Sequence, residues 1–441
     1  MEYRPFPEER ADEFRAFMRY AFSPEQGPYD PEADDDDREH LADYRGLFDG
    51  DEPVAVCGHH DFTLRIRGSD RDVAGLSAVA SPPEHRRQGN IERILRESLA
   101  EYRDDDVHVS VLWPFEYGFY RKYGWATVSR YRYLRTPPEQ LGFVDDAVRR
   151  SAGDGDERGR FRRLGADDYA AAEPVLSSMA DRYDFTMART EAWWRERTLR
   201  GWKTDPFVYG WERGGELRAF WSYRFDDEGG EPDDDDGTVM TVRDVATIDE
   251  EAWLHVLRFC RDHDSQVEEV RIRAPPDANL QDRVPDPRAV TVESRTGPML
   301  RLVDVAGAFE ALEPDPELDS RFTLAVADPL VTWNDRTFRV DVADGTVSVE
   351  PVAGADDPNS SADSLDDTVD IPDATVGIGT LSQLYAGYHS VQDAAEYGDL
   401  AVSDARTGDD DPSATDDAVG DLIADLNDLF PPRKTFLREG F

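Results

Sequence analysis

One stretch, Gly75 to Tyr131, restricts the fold more than any other part of the chain. Gly75–Ala80 is a short, mostly apolar run that reads as a buried strand, and His85-Arg86-Arg87-Gln88-Gly89-Asn90 turns the chain. From there Ile91, Ile94, Leu95, Leu99 and Tyr102 repeat at helical spacing, which predicts an amphipathic helix with one buried face. Val107–Trp113 reads as a second strand. An aromatic segment, Phe115 to Gly124, predicts a short helix before a third strand. Strand, Gly-containing turn, helix, strand is the order of a mixed α/β unit.

The turn has a chemical use. Amide N–H groups at a helix start lack partners within the helix, and the dipole there favours an anion. Gly89 allows close backbone approach, and Arg86 and Arg87 add positive charge. A pyrophosphate suits such a turn, although a solvated arginine-rich turn has the same composition. No Gly-Lys-Ser/Thr follows, so the pattern is not that of a nucleoside triphosphatase.

Two motifs combine at this point. Pro83-x-x-Arg86-Arg87-x-Gly89 closes a strand and opens a helix, and Phe119-Tyr120-x-x-Tyr123-Gly124-Trp125 follows some way downstream. Together they resemble the acetyl-coenzyme A site of the GCN5-related N-acetyltransferases (GNAT). The form His-Arg-Arg-x-Gly followed by bulky Ile91 is similar to the enhanced-intracellular-survival (Eis) branch. The resemblance implies a fold class of α/β (α+β) type: tandem GNAT folds, the second without a cofactor site, then a sterol-carrier-like α/β domain.

The rest of the chain follows that order, with expected domains at 1–145, 160–300 and 301–441. Met1–Phe6 reads as a strand and Pro7 to Phe22 as a helix. Val54–Cys57 and Phe62–Arg67 read as strands joined by a turn at Gly58-His59-His60-Asp61, where a hairpin is favoured over a metal site. The first unit is expected to close near Arg135. The second opens at Phe161-Arg162-Arg163-Leu164-Gly165 and repeats the mixed α/β order without a recognisable cofactor turn, and Trp193-Trp194 reads as core or interface. The third begins near Met299. Leu330-Val331-Thr332-Trp333-Asn334 and Leu384-Tyr385-Ala386-Gly387-Tyr388 resemble parts of the sterol-carrier-like domain that ends Eis proteins.

Charge narrows the setting. The chain of 441 residues carries 50 basic and 95 acidic residues, a formal charge of −45, and only Lys122, Lys203 and Lys434 are lysines. Aspartate runs at 34–37, 233–236 and 409–411 add to an acidic surface that high salt would screen. That composition predicts the cytoplasm of an extreme halophile and argues against nucleic acid and anionic membranes as partners. Cys57 and Cys260 read as reduced core residues, and no signal peptide or long apolar span is evident.

The resemblance also assigns roles. Acetyl-CoA would be held by Arg86, Arg87, Gln88, Gly89, Asn90 and Ile91, with the main chain of Val79 and Ser81 along its pantetheine arm. Tyr120 would be the general acid. Phe441 is aromatic and last in the sequence, and would supply its terminal carboxylate as general base. No metal is expected. The acceptor would be a small-molecule primary amine (polyamine, lysine-like or aminoglycoside-like). A homo-oligomer, a hexamer by resemblance, is implied. Trp113-Pro114-Phe115 would narrow the acceptor pocket. The competing reading is a non-catalytic small-molecule or lipid-binding protein using the sterol-carrier-like domain.

Overall fold

A computed structural model describes residues 1–32, 40–151, 159–200, 205–227, 238–352, 371–403 and 412–441. The three aspartate runs, Lys203, the Asp-rich insertion at 354–370 and parts of the loop 23–39 and of the linker 145–160 lie outside the described residues. Among the described residues no helix is long and apolar enough to cross a membrane.

The first sheet is built from β1 (Glu2–Pro5), β2 (Asp43–Asp49), β3 (Glu52–Ile66), β4 (Ser69–Ala80), β5 (Val109–Leu112) and β6 (Ala126–Thr127). They run side by side in that order, except that Met299–Leu302 is inserted between β5 and β6. Helix α1 (Ala11–Phe22) follows β1, α2 (Asn90–Asp104) joins β4 to β5, and α3 (Tyr117–Arg121) follows β5. The buried residues of α2 are Asn90, Ile94, Leu95, Ser98, Leu99 and Tyr102, which is the face its periodicity predicts.

The sequence reading erred at three places in this sheet. The Gly58-His59-His60-Asp61 segment is no turn but the middle of the fifteen-residue strand β3. Strand geometry sends His59 and His60 to opposite faces, and each finds a polar partner there. His59 Nε2 lies 3.0 Å from Ser98 Oγ on α2, whereas His60 contacts Ser77 Oγ and Leu41 O at 3.0 and 3.1 Å. Second, Arg130–Thr136, read as closing the first unit, pairs antiparallel with Glu269–Ala274 and Thr291–Thr296 in the second sheet. Third, Met299–Leu302, read as opening the third unit, completes the first sheet. The first two units thus exchange strands.

The second sheet is seven-stranded and packs around Glu250–Arg261, whose N-cap Asp249 accepts from Ala252 N. Trp193 and Trp194 are buried, as expected of core. The third unit is a five-stranded sheet with helices Ile378–Tyr385, Val391–Glu396 and Pro412–Leu429. One apolar cluster runs from Phe62, Leu64 and Leu300 of the first sheet into Phe322, Leu381 and Phe430 of the third unit. A second cluster, with Leu95, Leu99, Tyr120 and Trp125, covers the other face. The first sheet is therefore buried on both sides.

Two arginines fasten these units. Arg301 and Asp328, both with fully buried side chains, form a 2.6 Å ion pair. The same guanidinium hydrogen-bonds Tyr123 O. Gly124 sits at φ +90°, and a Cβ there would run into Arg301 Nη1 and Ile378. Arg67 donates to Tyr385 O at 2.6 Å and to Leu384 O at 2.7 Å.

Candidate active site

The site forms where β4 and β5 part. These parallel strands pair only at Ala74–Ser110 and Gly75–Val111. Beyond Gly75, β4 continues to Ala80 with its β5-facing edge open. A bulge helps to open it: Val56 pairs with Ala80 but Gly58 with Ser77, so β4 carries an extra residue, and Ala78 takes φ +56°. An open edge presents unpaired main-chain groups to a ligand.

The turn after β4 completes the cradle. Gly89 has φ +81° and a Cβ there would meet no protein atom within 4 Å, so its space faces outward. Arg87 also has positive φ, at 60°. Among the described residues the amides of Arg87, Gln88 and Gly89 have no hydrogen-bond acceptor, and α2 starts one residue later with its own free amides. Arg86 Nε donates to Ser81 O at 3.1 Å, which fixes its guanidinium beside the strand end, 5.4 Å from the Tyr20 ring. Asn90 Nδ2 donates to His85 O at 3.0 Å and shapes the turn.

A cleft of about 720 Å³ follows this arc. Of the residues singled out from the sequence, Val79, Ser81, Arg86, Arg87, Gly89, Asn90 and Ile91 line it. Gln88 does not; its Nε2 is turned back to Glu84 O at 2.9 Å. The sequence reading missed Ala21 and Phe22 of α1, and Lys122. Lys122 carried a signal, being one of three lysines in the chain.

Tyr120 stands behind the cleft wall, 3% exposed, with its ring edge-on to Phe115 and Phe119 at 5.6 and 5.2 Å. Its hydroxyl makes no hydrogen bond to a described residue. Burial, with the Cys57 thiol nearby, pushes the phenol above its ordinary value, so it stays protonated.

Phe441 lies on the other face of the sheet. Its ring packs on Phe62 at 4.7 Å and on His60 at 5.5 Å. Burial, and secondarily Arg197, pushes His60 down to about 4, so the imidazole facing Phe441 is neutral. Trp113, just past the end of β5, donates from Nε1 to Glu439 O at 2.6 Å. The large residue expected to narrow the pocket therefore anchors the tail at the mouth of the strand fork. The tail is tied down along its length: Asp184 N donates to Lys434 O, and Thr435 and Ser129 bridge to main chain at 2.7 and 3.1 Å. Phe436 and Leu437 are each 2% exposed.

Comparison with known proteins accords with this geometry. The acetyltransferase (GNAT) domain family matches residues 2–128 and again, through a second GNAT family, 186–302, and the sterol carrier protein domain family matches 305–438. An uncharacterized N-acetyltransferase of Streptomyces griseus is 26% identical over 392 residues, 86% of each chain. One from Streptomyces coelicolor is 28% identical over 295 residues, 65% of this chain and 68% of its own. Among solved structures, a probable N-acyltransferase from Enterococcus faecalis superposes with TM-score 0.76 at 18% identity, covering 100% of this chain and 99% of that one. Eis1 from Mycobacterium abscessus superposes with TM-score 0.69 at 20% identity over 100% of both.

Two GNAT domains followed by a sterol carrier domain define the class: the chain is a GNAT-type N-acetyltransferase. Eis1 shares the fold of all three parts from end to end. Enzymes of this class use acetyl-CoA.

Proposed function

We propose that the cleft at the β4–β5 fork binds acetyl-CoA and that the protein transfers its acetyl group to a small-molecule primary amine. The observation that carries this reading is the fork itself: an open, bulged strand edge running into a turn whose amides have no acceptors among the described residues. The fit is physical. The Arg87–Ile91 amides with Arg86, Arg87 and Lys122 match a pyrophosphate, and the β4 edge from Val79 to Ser81 matches an amide-bearing arm.

The cosubstrate supplies an acetyl group activated as a thioester. The chain does the rest. The carboxylate of Phe441 takes a proton from the ammonium, directly or through water. The freed nitrogen lone pair forms the new C–N bond as the carbon–sulfur bond breaks. Tyr120 then gives its proton to the departing sulfur, and the new amide nitrogen returns its extra proton to the Tyr120 phenolate, directly or through water. The Phe441 carboxyl releases its proton to solvent, which balances the charge. Tyr120 and Phe441 approach the fork from opposite faces of the sheet, which supports separate acid and base roles. Polyamine, lysine-like and aminoglycoside-like amines all carry the required group. The resemblance also supports a homo-oligomer.

The test is calorimetric titration of the full chain with acetyl-CoA, with coenzyme A release followed on an amine panel. Micromolar binding with amine-dependent release is expected. Absence of binding refutes the cleft assignment and revives a binding protein built on the sterol carrier domain.

A further inference from the structure

A second pocket, of about 190 Å³, lies where the second domain meets the chain end. Six arginines and two carboxylates line it, in a chain whose net charge is −45. Gly440 and Trp193 form its inner wall, and the Trp193 ring is 5.5 Å from Phe62, against which Phe441 also packs. The pocket lining therefore includes the residue that precedes the proposed base.

Arg438 is the unusual member. It is 5% exposed, and neither Nη1 nor Nη2 has a hydrogen-bond partner. Its Nε lies 3.5 Å from Val245 O, and its guanidinium rests 4.8 Å from the Phe436 ring. Burial pushes the group down to about 10, and the carboxylates of Asp244 and Glu439 oppose that fall without cancelling it. Those carboxylates are engaged elsewhere: Arg189 binds Asp244 Oδ2 at 2.8 Å and Glu439 Oε1 at 2.6 Å. Arg273 is committed to the main chain, donating to Arg438 O at 2.6 Å and Leu437 O at 3.4 Å, and its Nε is unpartnered. A buried charge is costly unless it is paired. Arg438 thus lines the cavity with a buried guanidinium that no carboxylate binds.

We infer that this pocket holds an anionic group, carboxylate or phosphate, carried by the amine acceptor. The inference rests on the acetyl-transfer reading and narrows it. A guanidinium with two free Nη groups matches the two oxygens of either anion in a fork geometry that a lone oxygen atom cannot use. The volume fits one small headgroup, below the few hundred Å³ usual for a whole drug-sized ligand. Two carboxylate oxygens of the same lining residues, Asp244 Oδ1 and Glu439 Oε2, are buried and also lack partners. A polycation such as a polyamine would instead meet the arginine wall with like charge.

The test compares matched amines on the full chain: 4-aminobutyrate against butylamine, phosphoethanolamine against ethanolamine, and spermidine as the polycation. We expect kcat/KM at least tenfold higher for the anionic member of one pair, mainly through KM, and which pair responds distinguishes carboxylate from phosphate. In Arg438→Gln that ratio is expected to fall to about one. Inorganic phosphate or acetate should compete with the anionic amine and not with its neutral counterpart, a measurement on the parent protein that does not depend on the variant folding. Equal rates within both pairs, or spermidine as the best acceptor, overturns the inference while leaving acetyl transfer intact. If no amine is acetylated, calorimetry with phosphate and acetate decides the pocket separately: binding to the parent and not to Arg438→Gln supports it, and no binding to the parent refutes it.

Discussion

Replacing Tyr120 by Phe separates chemistry from packing, because the structure predicts almost no stability cost. The ring is 3% exposed and wedged among Phe115, Phe119 and Trp125, contacts that a phenylalanine retains. The hydroxyl bonds to no described residue, so its removal orphans no partner, and the change in stability should stay below about 1 kcal/mol. Turnover should behave differently. A positioned general acid contributes about 10²-fold or more, equivalent to roughly 2.7 kcal/mol of barrier. The pH profile adds a second signature. Burial raises the Tyr120 phenol above its ordinary value, so the parent should hold its rate through the pH range in which a free phenol loses its proton. The assay is steady-state acetyl transfer from pH 6 to 10, with acetyl-CoA affinity and melting temperature measured on both proteins. Equal turnover in parent and Tyr120→Phe would refute the acid role and leave Tyr120 as core. A fall in turnover matched by an equal fall in melting temperature would refute the premise that the hydroxyl is structurally idle.

Gly89→Val places a β-branched residue at φ +81°, costing about 1–2 kcal/mol of backbone strain, and puts its side chain into the empty space over the turn. The apparent constant for acetyl-CoA should rise with little loss of secondary structure; unchanged affinity would misplace the cradle. Asp328→Ala leaves the fully buried Arg301 guanidinium unpaired and should cost about 3–5 kcal/mol, read as a lowered urea midpoint; a shift below about 1 kcal/mol would mean that Tyr123 O alone suffices for Arg301. A short C-terminal tag converts the Phe441 carboxylate to an amide, and turnover should be abolished at unchanged acetyl-CoA affinity. Full activity of the tagged chain would remove the base from the mechanism.

Local chemistry was legible in the sequence and non-local pairing was not. The helix α2 and its turn could be read because apolar spacing, Gly89 and the arginines act within a few residues of one another. Strand β3 was split because Gly58 and three polar residues look like a turn; Tyr3, Ser98, Ser77 and Leu41, distant in sequence, satisfy the two histidines and let the strand continue. The exchange of Arg130–Thr136 and Met299–Leu302 was hidden for the same reason, since a strand's composition does not name its neighbour. Gln88 sits inside the Arg-Arg-x-Gly turn yet is turned away from the cleft, because its side chain closes a local bond to Glu84 O. The arginine pocket draws on residues from 189 to 438, a distance over which no motif is visible.

That same non-locality gives the second domain a physical part in the proposed reaction. It has the GNAT fold, and it holds the last residues of the chain. Arg189 pairs with Glu439 where both side chains are 2% exposed, and Arg273 takes the carbonyls of Leu437 and Arg438. The first domain adds Trp113 and Ser129, and the third adds Gly387, whose carbonyl accepts from Arg433 N at 2.7 Å. A catalytic group must be held to within about 0.5 Å of its working position, and one flexible tail bonded to a single domain would not achieve that. Clamping the tail from three domains does. On this argument the base at Phe441 is positioned only when all three units have docked, so damage to the Arg189–Glu439 pair should lower turnover without weakening acetyl-CoA binding at the far end of the fork.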